Sequence, residues 1–392
     1  MNTDNLLSDY KNIFNNDAER LFFSPGRINL IGEHTDYNGG NVFPCAISLG
    51  TYAAYGTRAD DTVQLYSANF PDQGIVSFKT NDLEYKKADD WANYPRGIMY
   101  YLTKHGYSFN HGFNLFIHGN LPDGAGLSSS ASIELLMGTI LNTVFELGID
   151  QLDLVKVGQE DENNYIGVNS GIMDQFAVGM GKKDQAILLD TNTMNYQYAP
   201  VELGDHVIVI MNTNKRRELA DSKYNERRSE CEEALERLQT KLNIKSLGDL
   251  TIDEFDQNAY LINDDTLIRR ARHAVFENQR TLRAIKKLNQ NDLVSFGKLV
   301  NASHVSLHYD YAVTGQELDT LVETAWQQPG VLGARMTGAG FGGCAIAIVE
   351  KDQVENFKQN VGETYKQIIG YDADFYIAEI SDGPKELSKV EK

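Results

Sequence analysis

The 392-residue sequence predicts a two-domain protein of mixed α and β structure. Length is the first reason, since a domain usually takes roughly 100–200 residues. The second is that strand-like and helix-like runs occur in both halves, without a low-complexity tract or an internal repeat. The third is an ordinary globular composition, with 42% hydrophobic and 23% charged residues.

The strand-like runs of the first half are Leu21 to Phe23, Ala46 to Arg58, Thr62 to Phe70 and Gly112 to His118, all rich in β-branched and aromatic residues and bracketed by Gly, Asn and Asp. Ile133, Leu136, Met137, Ile140, Leu141, Val144 and Phe145 recur at helical spacing and form the firmest helix of the chain. A second helix is expected over Gln151 to Tyr165, then a glycine-punctuated loop and a strand at Gln185 to Leu189. Val207 to Met211 opens the second half. Charged helical stretches at about 218–242 and 266–303 precede strands at Ala345 to Val349 and Asp374 to Ile380, with a helix between them. A boundary near residue 195 divides the chain into 1–195 and 196–392, although no Pro- or Ser-rich linker marks it.

Charge narrows the partners. Acidic side chains number 55 against 36 basic ones, a formal charge of −19. Such a field repels nucleic acid and anionic membranes, so any phosphate must be held by a local site of backbone amides, a few cations and a metal ion. Cys45, Cys231 and Cys344 are odd in number, far apart and without metal-ligand spacing, as expected of reduced cytosolic thiols. Met1 to Asn15 lacks a basic region leading into an apolar one, and no run approaches 18 apolar residues. A cytoplasmic address is expected, with monomer as the default state.

Four segments carry chemistry. Leu121-Pro122-Asp123-Gly124-Ala125-Gly126-Leu127-Ser128-Ser129-Ser130-Ala131-Ser132 lies between a strand and the firm helix. Glycines let the backbone approach an anion closely, and the free amides at the helix start favour phosphate. The serines could instead be helix caps, but one cap needs one serine, not four beside a double-glycine turn. It is not a Walker A loop, because no Gly-Lys-Ser/Thr follows.

Thr337 to Gly343 contains G-x-G-x-x-G, yet a strand-like run follows where a dinucleotide fingerprint needs a helix. A turn between two strands explains these glycines as well as a ligand role does. The segment from Gly26 gathers Arg27, Asn29, Glu33, His34, Asp36 and Tyr37 among glycines, between apolar flanks. Carboxylates and amides of this kind bind polyols, whose hydroxyls both donate and accept. Asp174, in Gly171-Ile172-Met173-Asp174-Gln175-Phe176, is a carboxylate among glycine and apolar residues with Glu162 twelve positions earlier. It could be a general base or the counter-ion of an arginine.

Taken together, these segments resemble the galactokinase branch of the superfamily that also contains homoserine, mevalonate and phosphomevalonate kinases. Gly26 to Ile47 looks like the galactokinase signature, including Gly-Glu-His-Thr-Asp-Tyr, whereas Leu121 to Ser132 and Thr337 to Gly343 are shared more widely. The resemblance implies a two-domain α+β fold: an N-terminal domain like that of ribosomal protein S5, a C-terminal α/β sandwich, and an active site in the cleft between them. It implies ATP-dependent phosphorylation of the C1 hydroxyl of galactose. Arg27 and Asp174 would then be the catalytic pair, and Glu33, His34, Asp36 and Tyr224 would hold the sugar. Gly124, Ala125, Gly126, Leu127, Ser128, Ser129 and Ser130 would wrap the phosphates, and Ser130 with Glu162 would ligate Mg²⁺.

Departures from the usual pattern are Ser170 for a frequent cysteine, Asp161 for a common alanine and Phe43 for leucine. Ser130-Ala131 is intact, which favours an enzyme over the non-catalytic galactose sensors related to this family. Other sugars such as N-acetylgalactosamine are not separated from galactose by sequence. Trp91 could stack on adenine or pack in the core, and the adenine pocket stays unassigned.

Overall fold

A computed structural model of the chain describes residues 3–122, 124–215 and 220–390. The first strands are β1 (Arg20–Asn29), the two-residue β2 (Asn41–Val42), β3 (Pro44–Thr57), β4 (Thr62–Ser67), β5 (Val76–Lys79) and β6 (Phe113–Gly119). In the middle of the chain come β7 (Gln185–Asp190), β8 (Tyr196–Pro200) and β9 (His206–Asn212), and near its end β10 (Val331–Thr337), β11 (Cys344–Glu350), β12 (Asp374–Ala378) and β13 (Lys385–Lys389). They form a six-stranded sheet in the order β13-β1-β3-β6-β4-β5, a four-stranded sheet β10-β11-β9-β12 and a three-stranded sheet β2-β7-β8. Only the β4–β6 pair is parallel among the described residues.

The helices of the first half are α1 (Thr3–Phe14), α2 (Asn93–Lys104), α3 (Ser129–Val144), α4 (Gln151–Glu160) and α5 (Met173–Gly179). Strand alternation decides how they pack. Phe22, Ala53, Tyr55, Leu115 and Ile117 face the core made with α2 to α5. Their neighbours Leu21, Ala54 and Phe116 face the opposite way and bury Leu6 and Tyr10 of α1.

In the second half, α6 (Ala220–Gln239), α7 (Ile252–Asn258), α8 (Asp265–Asn289), α9 (Leu293–Ser306), α10 (Gly315–Trp326) and α11 (Val354–Ile369) surround the four-stranded sheet. Val209, Met211, Ala345 and Ala347 point into a core with α6, α8, α10 and α11. Ile208, Ile210, Ile346 and Ile348 point the other way, into an apolar layer with Ile28, Ile31, Phe43 and Ile47 of the first half. The two halves thus share a core, which fixes the cleft between them.

Most expected elements are present within a few residues. The long stretch at 266–303 is two helices, parted where Asp292 caps α9 by accepting from the Ser295 amide. The stretch at 218–242 is α6, and residues 218 and 219 lie outside the described residues. Residue 195 falls between the paired strands β7 and β8, and β13 returns to pair with β1. We propose that the first unit runs through β8 and takes back the final strand. Among the described residues no helix is long and apolar enough to cross a membrane.

Candidate active site

A cavity of about 380 Å³ lies in the cleft and is lined by Arg27, Glu33, His34, Asp36, Gly124, Gly126, Ser128, Ser129, Ser130, Glu162, Asp174 and Tyr224, together with Gly338 and Ala339. Of the fourteen residues expected at the site, only Ala125 and Leu127 turn their side chains away, into the apolar layer between the halves. Asp123, within the same motif, lies outside the described residues.

The loop before α3 takes left-handed backbone at Gly124 (φ +63°), Gly126 (φ +70°) and Ser128 (φ +62°), which coils it around the helix start. The serines are not caps. Ser128 makes no side-chain cap bond, and its hydroxyl donates instead to Asp174. Ser130 donates to Glu162 Oε1 at 2.8 Å, and Ser132 is buried and donates to the Ser24 carbonyl. The start of α3 thus carries no side-chain cap from Ser128, and Ser128, Ser129 and Ser130 line the cavity, a setting suited to an anion.

Arg27 sits on β1 and holds Asp174 with two bonds, Nε to Oδ1 at 2.9 Å and Nη2 to Oδ2 at 3.0 Å. Its Nη1 donates to the Gly126 carbonyl at 2.7 Å. Burial disfavours the Arg27 charge, but Asp174, Glu33 and Asp36 more than restore it, so its pKa is raised. Of the two readings open for Asp174, it is at least an arginine's partner.

The polyol-type loop is held from behind by α8. The Gly32 amide donates to Glu277 Oε1 at 3.0 Å, His273 Nε2 donates to the Glu33 carbonyl at 3.0 Å, and the Asn41 amide donates to Asn278 Oδ1 at 2.8 Å. Glu33 is buried and paired with the buried Arg335 at 2.7 Å. Burial raises Glu33, and Arg335 and Arg27 oppose the rise. Asp36 is pushed up to about 7 by burial, then by the neighbouring charges of Asp174 and Glu33. Sequence reasoning missed Arg335, His273 and Glu277. One signal existed: Arg270, His273, Glu277 and Thr281 form a polar stripe at helical spacing in α8, and all four are buried.

Ser130 and Glu162 offer oxygen donors to a cation on the cavity wall. Glu162 Oε2 also accepts from Ser170 and from Gln175, both at 2.7 Å. Burial and the charge of Asp174 raise Glu162, a cost that a bound cation would offset. No group of three or more His, Cys, Asp or Glu among the described residues forms a metal cage. Two hard oxygen donors open to a phosphate site suit Mg²⁺, which keeps waters and takes further oxygens from phosphates.

A smaller cavity of about 180 Å³ adjoins the first at Tyr94, Ser129 and Ser130 and is otherwise mainly apolar, with Phe70, Trp91, Ile117, Leu121 and Ile133 among its walls. Phe70 and Trp91 stack at 6.4 Å there, so Trp91 both packs and lines a space. Thr337 to Gly343 is the turn between β10 and β11, with no helix after it. Its Gly338 and Ala339 nonetheless reach the first cavity.

A glycine–serine loop at a helix start, bonded to an Arg–Asp pair in the cleft between two domains, is the arrangement of a small-molecule kinase. Models of the GHMP kinase N-terminal and C-terminal domains match residues 93–182 and 284–367, and a galactokinase galactose-binding signature matches residues 8–57. A galactokinase of Lactiplantibacillus plantarum is 74% identical over 387 residues, covering 99% of this chain and 100% of the relative. The crystal structure of Lactococcus lactis galactokinase complexed with galactose is similar at a TM-score of 0.95 and 54% identity, covering 98% of this chain and 100% of that one. Mevalonate kinase of Methanococcus jannaschii shares the fold at a TM-score of 0.66 and 18% identity, covering 93% and 99%. The chain belongs to the galactokinase family. It is an enzyme, a kinase with the two-domain α+β fold of the GHMP superfamily.

Proposed function

We propose that this enzyme transfers the γ-phosphoryl group of ATP to the C1 hydroxyl of galactose, giving galactose 1-phosphate and ADP. The observation that carries the reading is the placement of Asp174, held by Arg27 and Ser128, between the phosphate-type loop and the carboxylates of the signature loop. The galactose complex of the similar Lactococcus lactis enzyme supports the same sugar here.

In this reading Glu33, Asp36 and Tyr224 face the sugar hydroxyls, and His34 borders the same space. Asp174 accepts a hydrogen bond from the C1 hydroxyl and aims it at the γ-phosphorus. Because phosphoryl transfer has a loose transition state, this orientation matters more than early removal of the proton. Arg27 keeps Asp174 in place and faces the transferring group with positive charge. The loop from Gly124 to Ser130 holds the phosphates through its amides, and the adjoining cavity at Trp91 takes the adenine. Ser130 and Glu162 would hold Mg²⁺, which neutralises phosphate charge when bound. Three buried thiols without disulfides agree with a cytoplasmic address.

The test is ADP release by purified protein with Mg-ATP and each of galactose, N-acetylgalactosamine, glucose, mevalonate and homoserine. Turnover with galactose is expected. None with galactose would overturn the reading, and galactose binding without ADP release would point to a sensor.

A further inference from the structure

His34 lines the cavity, yet neither nitrogen of its ring is free. Nε2 lies 3.1 Å from the Ala339 carbonyl and Nδ1 lies 2.8 Å from the Tyr37 hydroxyl. The Tyr37 hydroxyl lies 2.8 Å from that of Tyr311, which lies 3.1 Å from Cys231 Sγ. A carbonyl only accepts, so Nε2 carries the ring proton. The uncharged ring then accepts at Nδ1, and Tyr37 must donate there. With its one proton spent, Tyr37 accepts from Tyr311, and Tyr311 in turn accepts from the Cys231 thiol. Every donor in the row is therefore set by the carbonyl at its end. Burial agrees, pushing His34 down to about 3 and so keeping the ring neutral.

The row joins four separate segments of the chain. Cys231 belongs to α6, Tyr311 to the turn after α9, Tyr37 and His34 to the signature loop, and Ala339 to the turn between β10 and β11. His34 has φ +60°, an uncommon backbone for a residue with a side chain, which persists when its surroundings fix it from several sides. Asn38 Nδ2 supplies a further bond to the His34 carbonyl at 2.7 Å. Gly338, the residue before Ala339, packs so closely on the phosphate-type loop that a Cβ there would meet the Gly126 carbonyl at 2.8 Å. The rings of His34 and Tyr37 also lie 5.6 and 5.5 Å from that of Tyr224 on the cavity wall.

We infer that the His34 ring is a strut and not a sugar ligand, and that Tyr37 and Tyr311 are positioning residues. Through this one-directional row they keep the sugar-facing loop in register with the turn that packs on the phosphate-type loop. Neither Tyr37 nor Tyr311 lines the cavity, so each acts through residues that do: His34 for both, and Tyr224 as well for Tyr37. The inference deepens the reading of the cavity as a galactose site and rests on it for its catalytic consequence.

Two measurements test it. Nitrogen-15 NMR of histidine-labelled, ligand-free protein, with the His34 signals assigned through His34→Gln, should show a neutral ring protonated at Nε2 between about pH 5.5 and 8. Galactose should leave that tautomer in place, and Tyr37→Phe should move the Nδ1 signal toward that of an unbonded nitrogen. The other tautomer in the free protein, or a change of tautomer on adding galactose, overturns the strut. In the second measurement, Tyr311→Phe should lower kcat about tenfold or more, because misalignment is costly in phosphoryl transfer, while galactose and ATP dissociation constants stay within about threefold. Unchanged kcat, or a loss confined to galactose affinity, overturns the positioning role. Tyr37→Phe carries the same kinetic test if Tyr311→Phe does not fold. The spectrum needs no turnover, so failure of the strut is separable from failure of the proposed reaction.

Discussion

Arg27 grips both carboxylate oxygens of Asp174 through Nε and Nη2 while its third nitrogen, Nη1, donates to the Gly126 carbonyl. One planar guanidinium thus ties Asp174, the proposed acceptor of the C1 hydroxyl, to the phosphate-type loop. Lysine has a compact ammonium group and cannot reproduce this fork. Arg27→Lys should therefore lower kcat by about 100-fold or more while galactose affinity changes only a few-fold. Steady-state ADP release paired with calorimetric sugar binding checks this. Asp174→Ala should lose turnover far more than ATP binding, and full activity would remove Asp174 from the mechanism.

Asp36 gives a pH dependence whose sign follows from its surroundings. Held up near 7 by burial and by the charges of Asp174 and Glu33, it is largely protonated in the free enzyme below that pH. Sugar hydroxyls donate best to the ionised form, so galactose affinity should strengthen as pH rises through about 7 and level off above about 8. Asp36→Asn should bind more weakly and lose the pH dependence. Titrating galactose into wild type and variant from pH 5.5 to 8.5 reads both effects.

Gly171 stands against the same carboxylate. A Cβ at this position would lie 2.0 Å from Asp36 Oδ2, far inside contact distance. Gly171→Ala should displace Asp36 and raise the KM for galactose by about tenfold while leaving that for ATP within about twofold. Equal rises in both constants would mean a general loss of structure.

What the sequence revealed depended on how local each feature was. The α3 helix follows from its apolar spacing, and the glycine–serine loop before it was legible because phosphate chemistry asks for amides, glycines and a helix start within one short segment. Glu33 and Asp36 stood out as polyol-type groups from the chemistry of their own segment, whereas Tyr224 and the choice of galactose came from family resemblance. The support behind them is a different matter. Arg335 meets Glu33 across 302 positions, and Gly32 meets Glu277 across 245. No local pattern encodes such pairings, although the buried polar stripe of α8 hinted that this helix faces something polar. The occupied nitrogens of His34 were equally out of reach, since they depend on Ala339, far along the chain.

The Glu33–Arg335 pair should be costly to break. Both side chains are buried, and Arg335 also donates to the Asn29 carbonyl at 2.8 Å. Removing one partner strands the other charge in the core, at a cost of about 3–5 kcal/mol. Arg335→Ala should show a loss of this size in urea unfolding, whereas Arg335→Met together with Glu33→Gln should recover much of it. Equal losses from the single and double variants would mean that packing around Arg335, and not charge pairing, sets its contribution.

Asp161 is the departure from the family pattern with a physical cost. Its side chain is fully buried, and neither carboxyl oxygen has a hydrogen-bond partner among the described residues. It lies against Gly97, where even a Cβ would collide with Oδ1. Burial, reinforced by the charge of Glu162, raises its pKa to about 9. The folded state therefore keeps a proton that the unfolded chain releases near pH 4, and this group erodes stability as pH rises from about 4 toward 9. Asp161→Ala restores the alanine common in the family and removes both the stranded polar group and the pH slope it imposes. The variant should be more stable than wild type by about 4 kcal/mol near neutrality, at roughly 1.4 kcal/mol per pH unit above about 4, with the gap widening toward pH 9 and shrinking toward pH 4. Urea unfolding at pH 5, 7 and 9 measures it, and a gap that stays constant with pH would mean that the Asp161 carboxyl keeps the same protonation in the folded and unfolded states.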